Sequence, residues 1–199
     1  MSLAIVYSRA SVGIDAPLIT VEVHLANGLP CFNLVGLPEA SVREAKDRVR
    51  SALINSGFEF TAKRITVNLA PADLPKEGGR FDLAIAMGII AASHQLNEQL
   101  LTNVELVGEL ALSGEIRPIT GALPFTYACQ QAKRTAILPA KNAPEASLIK
   151  GANILPVTQL LEVFQHITGQ RQLDLYQAQC IETQAEYAND LQDVVGQSA

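Results

Sequence analysis

The stretch LPKEGGRFDLAIAMG, residues 74–88, sets a proline, two adjacent glycines and an arginine ahead of an apolar run of helical length. Gly78 and Gly79 permit backbone conformations closed to other residues, and the first turn of the helix behind them exposes amides. That is the form of a loop that presents a nucleophile or receives an anion. The plainer reading is that the glycines only allow a tight entry into a core helix. A second set of residues with chemistry to offer is basic. Arg43, Lys46 and Arg50 recur at i, i+3 and i+7 on one helix face, and Lys63 and Arg64 open a strand pattern. Cations held on rigid elements suit phosphate, the group that dominates affinity for nucleic acid. Glu39 and Asp47 each lie four residues from Arg43, and Glu44 four from Arg48. Intrahelical pairing is therefore the competing use of that face.

Other candidates are weaker. His24, His94 and His166 show no H-x-x-x-H spacing and read as structural or solvated. Ser41 reads as a helix cap, and Ser113 has no neighbour that would pair it with a base. Glu109 and Glu115 flank a turn that explains them. Neither G-x-x-x-x-G-K-[ST] nor G-x-G-x-x-G occurs, so these two phosphate cradles are absent from the sequence. Cys31, Cys129 and Cys180 are odd in number, far apart and without a C-x-x-C pair. Neither a disulfide framework nor a zinc site follows, and a cytoplasmic location is expected.

The elements that must position these residues are legible from periodicity. LAIVYSRASV, LITVEVHLA and PCFNLVGL read as strands, with Val21, Val23 and Leu25 alternating against Thr20, Glu22 and His24. Asn27-Gly28 is a hairpin signal, so an antiparallel meander is expected. Residues 41–56 take a helical period: Ser41 and Glu44 have the form of a capping box, Val42, Ala45, Val49, Ala52 and Leu53 form a stripe, and Gly57 follows. RITVNLAPA is a strand. FDLAIAMGIIAASH, apolar nearly all round, is a core helix, with Asp82 complementing its dipole. VELVGELALSGEIRPI gives two short strands joined at Ser113-Gly114. A helix over TGALPFTYACQQAK, a strand over RTAILPA, a short helix over NAPEASLI, an edge strand over ANILPV and an amphipathic helix over TQLLEVFQHITG complete the pattern.

With 199 residues, 48% of them hydrophobic but only 5% aromatic, the chain can bury one substantial core of small and β-branched side chains, which suits a layered α/β or α+β fold. The formal charge of −5 is unevenly spread. Asp174, Glu182, Glu186, Asp190 and Asp193 stand against Arg171 alone beyond residue 170, leaving the rest near neutral. No apolar segment approaches the roughly 18 residues that a membrane helix needs, so no membrane partner is expected.

Four stretches in order, VGLPEASVREAKDRVRSALINSGFEF, RITVNLAPADLPKEGGRFDLAIAMGIIAAS, GELALSGEIRPITGALP and DLQDVVGQ, resemble the amino-terminal part of the ComM/YifB family of magnesium-chelatase-like AAA+ proteins. The resemblance covers essentially all of the chain. It implies an α+β fold, Lon-protease-like with the ribosomal protein S5 domain 2-like architecture, over residues 1–169. An acidic, Gln-rich linker would follow over 170–190, and the start of an AAA+ module over 191–199. No cofactor is expected in this chain; ATP and Mg are implied for the ATPase module that would lie beyond it, in a longer parent protein. Lon-type proteases carry a serine after a P-K-D-G-P-S loop and an activating lysine after a G-G-L turn. By that resemblance Pro75-Lys76-Glu77-Gly78-Gly79 matches the loop, the serine's place falls on Arg80, and the lysine's place falls on Leu123 or an immediate neighbour. An arginine is a permanent cation and leucine cannot act as a base, so the dyad is missing from the sequence.

The family is associated with DNA branch migration in natural transformation. The resemblance implies a non-proteolytic accessory domain that helps to assemble a homo-oligomeric, hexameric ring and guides branched or duplex DNA to its own AAA+ module. Arg64, Lys63, Lys76 and Arg80, which the Lon-like fold is expected to bring near one another, are the foremost DNA-binding candidates, followed by Arg43, Lys46 and Arg50. A pure oligomerisation domain, with the same arginines turned to carboxylates of a neighbouring subunit, and an unconventional peptidase remain as alternatives.

Overall fold

In a computed structural model, which describes residues 2–36, 44–60, 62–76 and 78–177, the alternating residues form one face of a four-stranded sheet. The strands β1 (Ser2–Arg9), β2 (Leu18–Ala26), β3 (Cys31–Val35) and β4 (Arg64–Ala70) lie in the order β1-β2-β4-β3. Ala4 and Val6 of β1, Ile19, Val21, Val23 and Leu25 of β2, and Ile65, Val67 and Leu69 of β4 are all buried on this face. The expected meander is corrected at one point. β1 and β2 are antiparallel, but β4 inserts between β2 and β3, pairing antiparallel with the former and parallel with the latter. Asn27-Gly28 therefore reverses the chain without joining neighbouring strands. β4, fully apolar on its inner face, takes the central place, whereas β3, with no buried residue, is left on the edge.

The parallel pair β3 and β4 is connected through helix α1 (Ala45–Asn55), which buries Ala45, Val49, Ala52 and Leu53 as the expected stripe. Its end is fixed by Gly57 at φ +83°: the Gly57 amide donates to the Ile54 carbonyl and the Phe58 amide to that of Leu53, closing the last turn. Ser41, Val42 and Arg43 lie outside the described residues.

Helix α2 (Asp82–Ala92) is buried along its whole length. It rests on the inner sheet face so closely that a Cβ on Gly88 would lie 2.5 Å from a Val23 methyl. Beyond it a parallel sheet of β5 (Val104–Leu106), β8 (Thr135–Pro139) and β9 (Ile154–Val157) runs in the order β5-β8-β9. The hairpin of β6 (Glu109–Leu110) and β7 (Ile116–Arg117) turns around Ser113-Gly114 as expected. The run VELVGEL is split between this hairpin and the parallel sheet. Helices α3 (Ala122–Gln131), α4 (Ala143–Ala146) and α5 (Leu160–Ile167) flank it, α5 opening on a capping box between Gln159 and Glu162.

Residues expected to begin a linker are hydrogen-bonded to the domain: the Leu173 amide donates to Nδ1 of His166 and the Tyr176 amide to the Ile154 carbonyl. The rest of the expected linker and of the AAA+ start, 178–199, lies outside the described residues. Among those described, no helix is long and apolar enough to cross a membrane.

Candidate functional site

Of the seven basic residues singled out in the sequence, the six that are described separate into two places at opposite ends of the central sheet. Arg64 pairs across β2 with Ala26 and across β3 with Cys31, at one end of β4, whereas Ala70 pairs with Thr20 at the other. Seven strand residues span roughly 20 Å. The expected proximity of Arg64 and Lys63 to Lys76 and Arg80 is therefore not realised, because the loop that carries the latter pair leaves β4 at its far end.

At the Arg64 end, Lys46 and Arg50 of α1 and Lys63, just before β4, line a groove of about 450 Å³. Lys46 and Arg50, one helical turn apart, face the same side. Phe32 on β3 and Phe60 after α1 form part of its walls together with Cys31, and Asp47 supplies a carboxylate. The Arg50 guanidinium carbon lies 5.4 Å from the centre of the Phe60 ring, an arrangement that holds the cation against an aromatic face. Lys46, Arg50, Lys63 and Arg64 are exposed. Arg43 lies outside the described residues. Arg48, an intrahelical partner in the sequence reading, turns instead to Asp82, with its Nε 2.8 Å and its Nη2 3.3 Å from the carboxylate oxygens.

At the other end, the two basic residues of the glycine loop are not surface cations. Lys76 is buried, its ammonium donating to the carbonyls of Pro71 at 2.5 Å and Leu74 at 3.0 Å. Burial lowers its proton affinity, and the charge of Asp73 partly opposes this. It ties the loop to itself and so departs from the expected role in binding DNA.

Arg80 is only 6% exposed, and its Nε and Nη2 have no hydrogen-bond partner among the described residues. Loss of hydration pushes its guanidinium down to about 10. Around it lies a cleft of about 360 Å³ whose walls include Ser11, Gly78, Gly79, Glu109 and Pro118 to Thr120. The loop is pinned from behind: the Gly108 amide donates to the Arg80 carbonyl, and the Leu83 amide to that of Gly108. Leu123 does not line this cleft; its amide donates to a Glu145 carboxylate oxygen at 3.0 Å. Ser11 and Thr120 bring hydroxyls to the cleft, and neither is hydrogen-bonded to a basic group among the described residues.

Asp82 follows two residues later, buried, and accepts a hydrogen bond from the Leu110 amide as well as from Arg48. Burial pushes its carboxyl up to about 6, against the opposing hydrogen bond and charge of Arg48. It acts as a tie between α1, α2 and β6 more than as a helix-dipole partner.

A third polar centre went unread in the sequence. Glu105, fully buried, is gripped by Arg9 through two hydrogen bonds of 2.5 and 2.8 Å and by Arg134 at 3.2 Å, and the Cys129 thiol donates to it at 3.2 Å. Burial pushes that thiol well above its ordinary range, with the Glu105 charge adding to the effect. Arg134 also stacks 3.9 Å above the Tyr7 ring. The signal was the glutamate inside the apolar run VELV, a charge that a core tolerates only with partners.

Residues 21–142 match the family described as subunit ChlI of Mg-chelatase. The chain is 55% identical over 201 residues to competence protein ComM of Haemophilus influenzae, spanning 99% of this chain and 40% of that protein. It is 51% identical over 197 residues to the YifB protein of Salmonella typhimurium, spanning 99% of the chain and 39% of the relative. Lon protease 2 of Bacillus subtilis is 30% identical over 166 residues, 75% of the chain and 29% of that protein. The chain thus spans about 40% of the length of its ComM and YifB relatives, and the Lon similarity accords with the α+β fold. On the family match over residues 21–142, this chain belongs to the Mg-chelatase subunit ChlI family.

Proposed function

We propose that the chain is the non-proteolytic accessory domain of a ComM-like AAA+ ATPase, and that the groove between α1 and the β3–β4 edge holds the backbone of DNA for a motor that promotes branch migration in natural transformation and recombination. The observation that carries this reading is the convergence of Lys46, Arg50 and Lys63 on one groove walled by Phe32 and Phe60, with Arg64 exposed at the adjoining strand end. Cations that track phosphates beside aromatic faces are the pattern of sequence-tolerant nucleic-acid binding. The absence of proteolysis is supported by Arg80, where the resemblance to Lon places the serine, and by Leu123 or an immediate neighbour, where it places the activating lysine. ATP and Mg would act in the parent's ATPase module, in a cytoplasmic hexameric ring.

Fluorescence anisotropy of a labelled four-way DNA junction with the 199-residue chain tests this. Lys46→Ala, Arg50→Ala and Lys63→Ala combined should lower affinity at least tenfold and reduce the slope of log K against log salt by about 2–3, at roughly 0.7–0.9 per lost phosphate contact. Unchanged affinity with circular dichroism intact would defeat the DNA reading.

The oligomerisation reading has its own support. Ile14, 90% exposed, Val12 and Tyr127 border an open, largely apolar concavity of about 840 Å³ with Pro17, Leu74 and Pro124. Sedimentation of the chain before and after Ile14→Asp and Tyr127→Asp separates this reading, which requires association that the two substitutions abolish.

A further inference from the structure

We propose that the groove between α1 and the β3–β4 edge is a pocket for one unpaired nucleotide of a DNA strand, guanine being the base that fits best. Its phosphate meets Lys46, Arg50 and Lys63, its base face the phenylalanine wall, and its base edge Asp47. This rests on the DNA reading and narrows it, because the groove then takes a base as well as a backbone.

The carboxylate is what a duplex backbone leaves without a use. Asp47 lines the groove together with the three cations. It stands three residues before Arg50 on α1, a spacing at which opposite charges ordinarily meet. Here they stay apart. Among the described residues Asp47, Lys46 and Lys63 make no ion pair, and Arg50 lies over the Phe60 ring, 5.4 Å from its centre. Both signs of charge are therefore held open in one concavity. Phosphate is only repelled by a carboxylate, so an occupant that uses the whole lining must bring an anion and N–H donors together. An unpaired nucleotide does. In a duplex the donors of the base-pairing edge are spent on the opposite strand and the base faces are hidden in the stack, so neither can reach Asp47 or the wall.

Every group in contact is open to an incoming strand. Lys46, Asp47, Arg50 and Lys63 are exposed, and Phe32 and Phe60 are half-buried. Both phenylalanines pack against the core from behind, which holds their rings in place at the groove wall for a base to lie against. The volume of about 450 Å³ falls in the range, roughly 300–1,000 Å³, of sites that enclose a small ligand.

The edge on Asp47 selects the base. A carboxylate accepts two parallel N–H bonds with its two oxygens. Guanine alone carries two adjacent donors, N1 and the exocyclic N2, on its base-pairing edge. Thymine sets a single N–H between two carbonyls, whereas adenine and cytosine place a bare ring nitrogen beside their amino group.

The test is fluorescence anisotropy of the 199-residue chain with a labelled duplex that carries one unpaired guanine, compared with the same duplex in which that position is thymine, is abasic or is left out. The guanine bulge should bind at least about tenfold tighter than the abasic and fully paired forms, as insertion of a base against an aromatic wall requires. It should bind about tenfold tighter than the thymine bulge, the effect of one two-pronged contact. Asp47→Ala should bring this guanine-to-thymine ratio close to one. The two DNAs carry the same phosphates, so the general gain in attraction from removing a negative charge cancels in the ratio. Equal affinity for all four DNAs, lost when Lys46, Arg50 and Lys63 are replaced together, would overturn the pocket and leave the DNA reading standing, whereas no binding to any of them would defeat both. Thymine bound as tightly as guanine, or a guanine preference that survives Asp47→Ala, would overturn the assignment of the base edge to Asp47.

Discussion

Replacing Arg80 by methionine should make the ligand-free protein more stable, against the usual outcome of altering a buried residue. Each pH unit of displacement in a proton equilibrium corresponds to about 1.4 kcal/mol. A guanidinium pushed from 12.5 down to about 10 by burial therefore carries roughly 3 kcal/mol of unfavourable burial at neutral pH. The sign follows from linkage: the unfolded chain holds this proton more tightly, so the penalty is complete below pH 10 and would fade only between 10 and 12.5. Methionine keeps most of the length and the apolar stem and removes the charge. Some contact is lost with the guanidinium, which leaves a net gain of about 1–3 kcal/mol. For a domain of this size that corresponds to a rise in Tm of about 3–10 °C, uniform between pH 6 and 8. Differential scanning calorimetry reads it directly, with Arg80→Lys as the control that retains the charge and gains nothing. A lower Tm for Arg80→Met than for the parent protein would show that the guanidinium is paired in solution, and the reasoning from its empty edge would fail.

Three further outcomes follow from the same packing. Arg48→Met strips Asp82 of its cation, so the carboxyl should titrate above its present value of about 6. Because a raised carboxyl favours the fold below about 4 and loses that advantage as pH climbs, the deficit should be small at pH 4 and approach about 1.4 kcal/mol at pH 7, one pH unit above the present value, in denaturant titrations. Gly88→Ala drives a methyl to within 2.5 Å of Val23 between α2 and β2, and should cost about 1–3 kcal/mol by the same measurement; no loss would mean that the helix can lift from the sheet. In a Cys180→Ser background, a thiol reagent should modify Cys31, in the groove wall, and leave the buried Cys129 untouched until unfolding. Junction DNA should then slow modification of Cys31 severalfold, and equal rates with and without DNA would count against the groove.

Where local pattern decides structure, the sequence was informative. Val21, Val23 and Leu25 announced an inward strand face, Gly57 the end of α1, and the apolar run from Asp82 a helix with no outward side. What it withheld were choices made between distant segments. Asn27-Gly28 is equally compatible with a hairpin and with a bend that leaves room for β4, and only the competition of Ile65, Val67 and Leu69 for the centre of the sheet decides between them. The charged loop residues pose the same difficulty. Lys76 and Arg80 look like surface cations in one dimension because charge predicts exposure, whereas the inward turn of Lys76 depends on carbonyls at Pro71 and Leu74, and Arg80 sits in a loop tied to the distant Gly108. Lys46, Arg50 and Lys63 were named correctly as basic, but Phe32, Phe60 and Cys31, which give the groove its walls, carried no signal beyond being apolar or rare.

The strand β4 begins beside the basic groove and ends where the glycine loop departs. Successive side chains alternate between its buried inner face and the other side, so a slip of one residue would turn Ile65, Val67 and Leu69 outward, and a slip of two would shift every rung and leave end pairs unmade on both flanks. It behaves as a locked strut: tension applied at one tip reaches the other as displacement of the whole sheet or does not arrive at all. A pull on either end of this domain would tow it as a solid body.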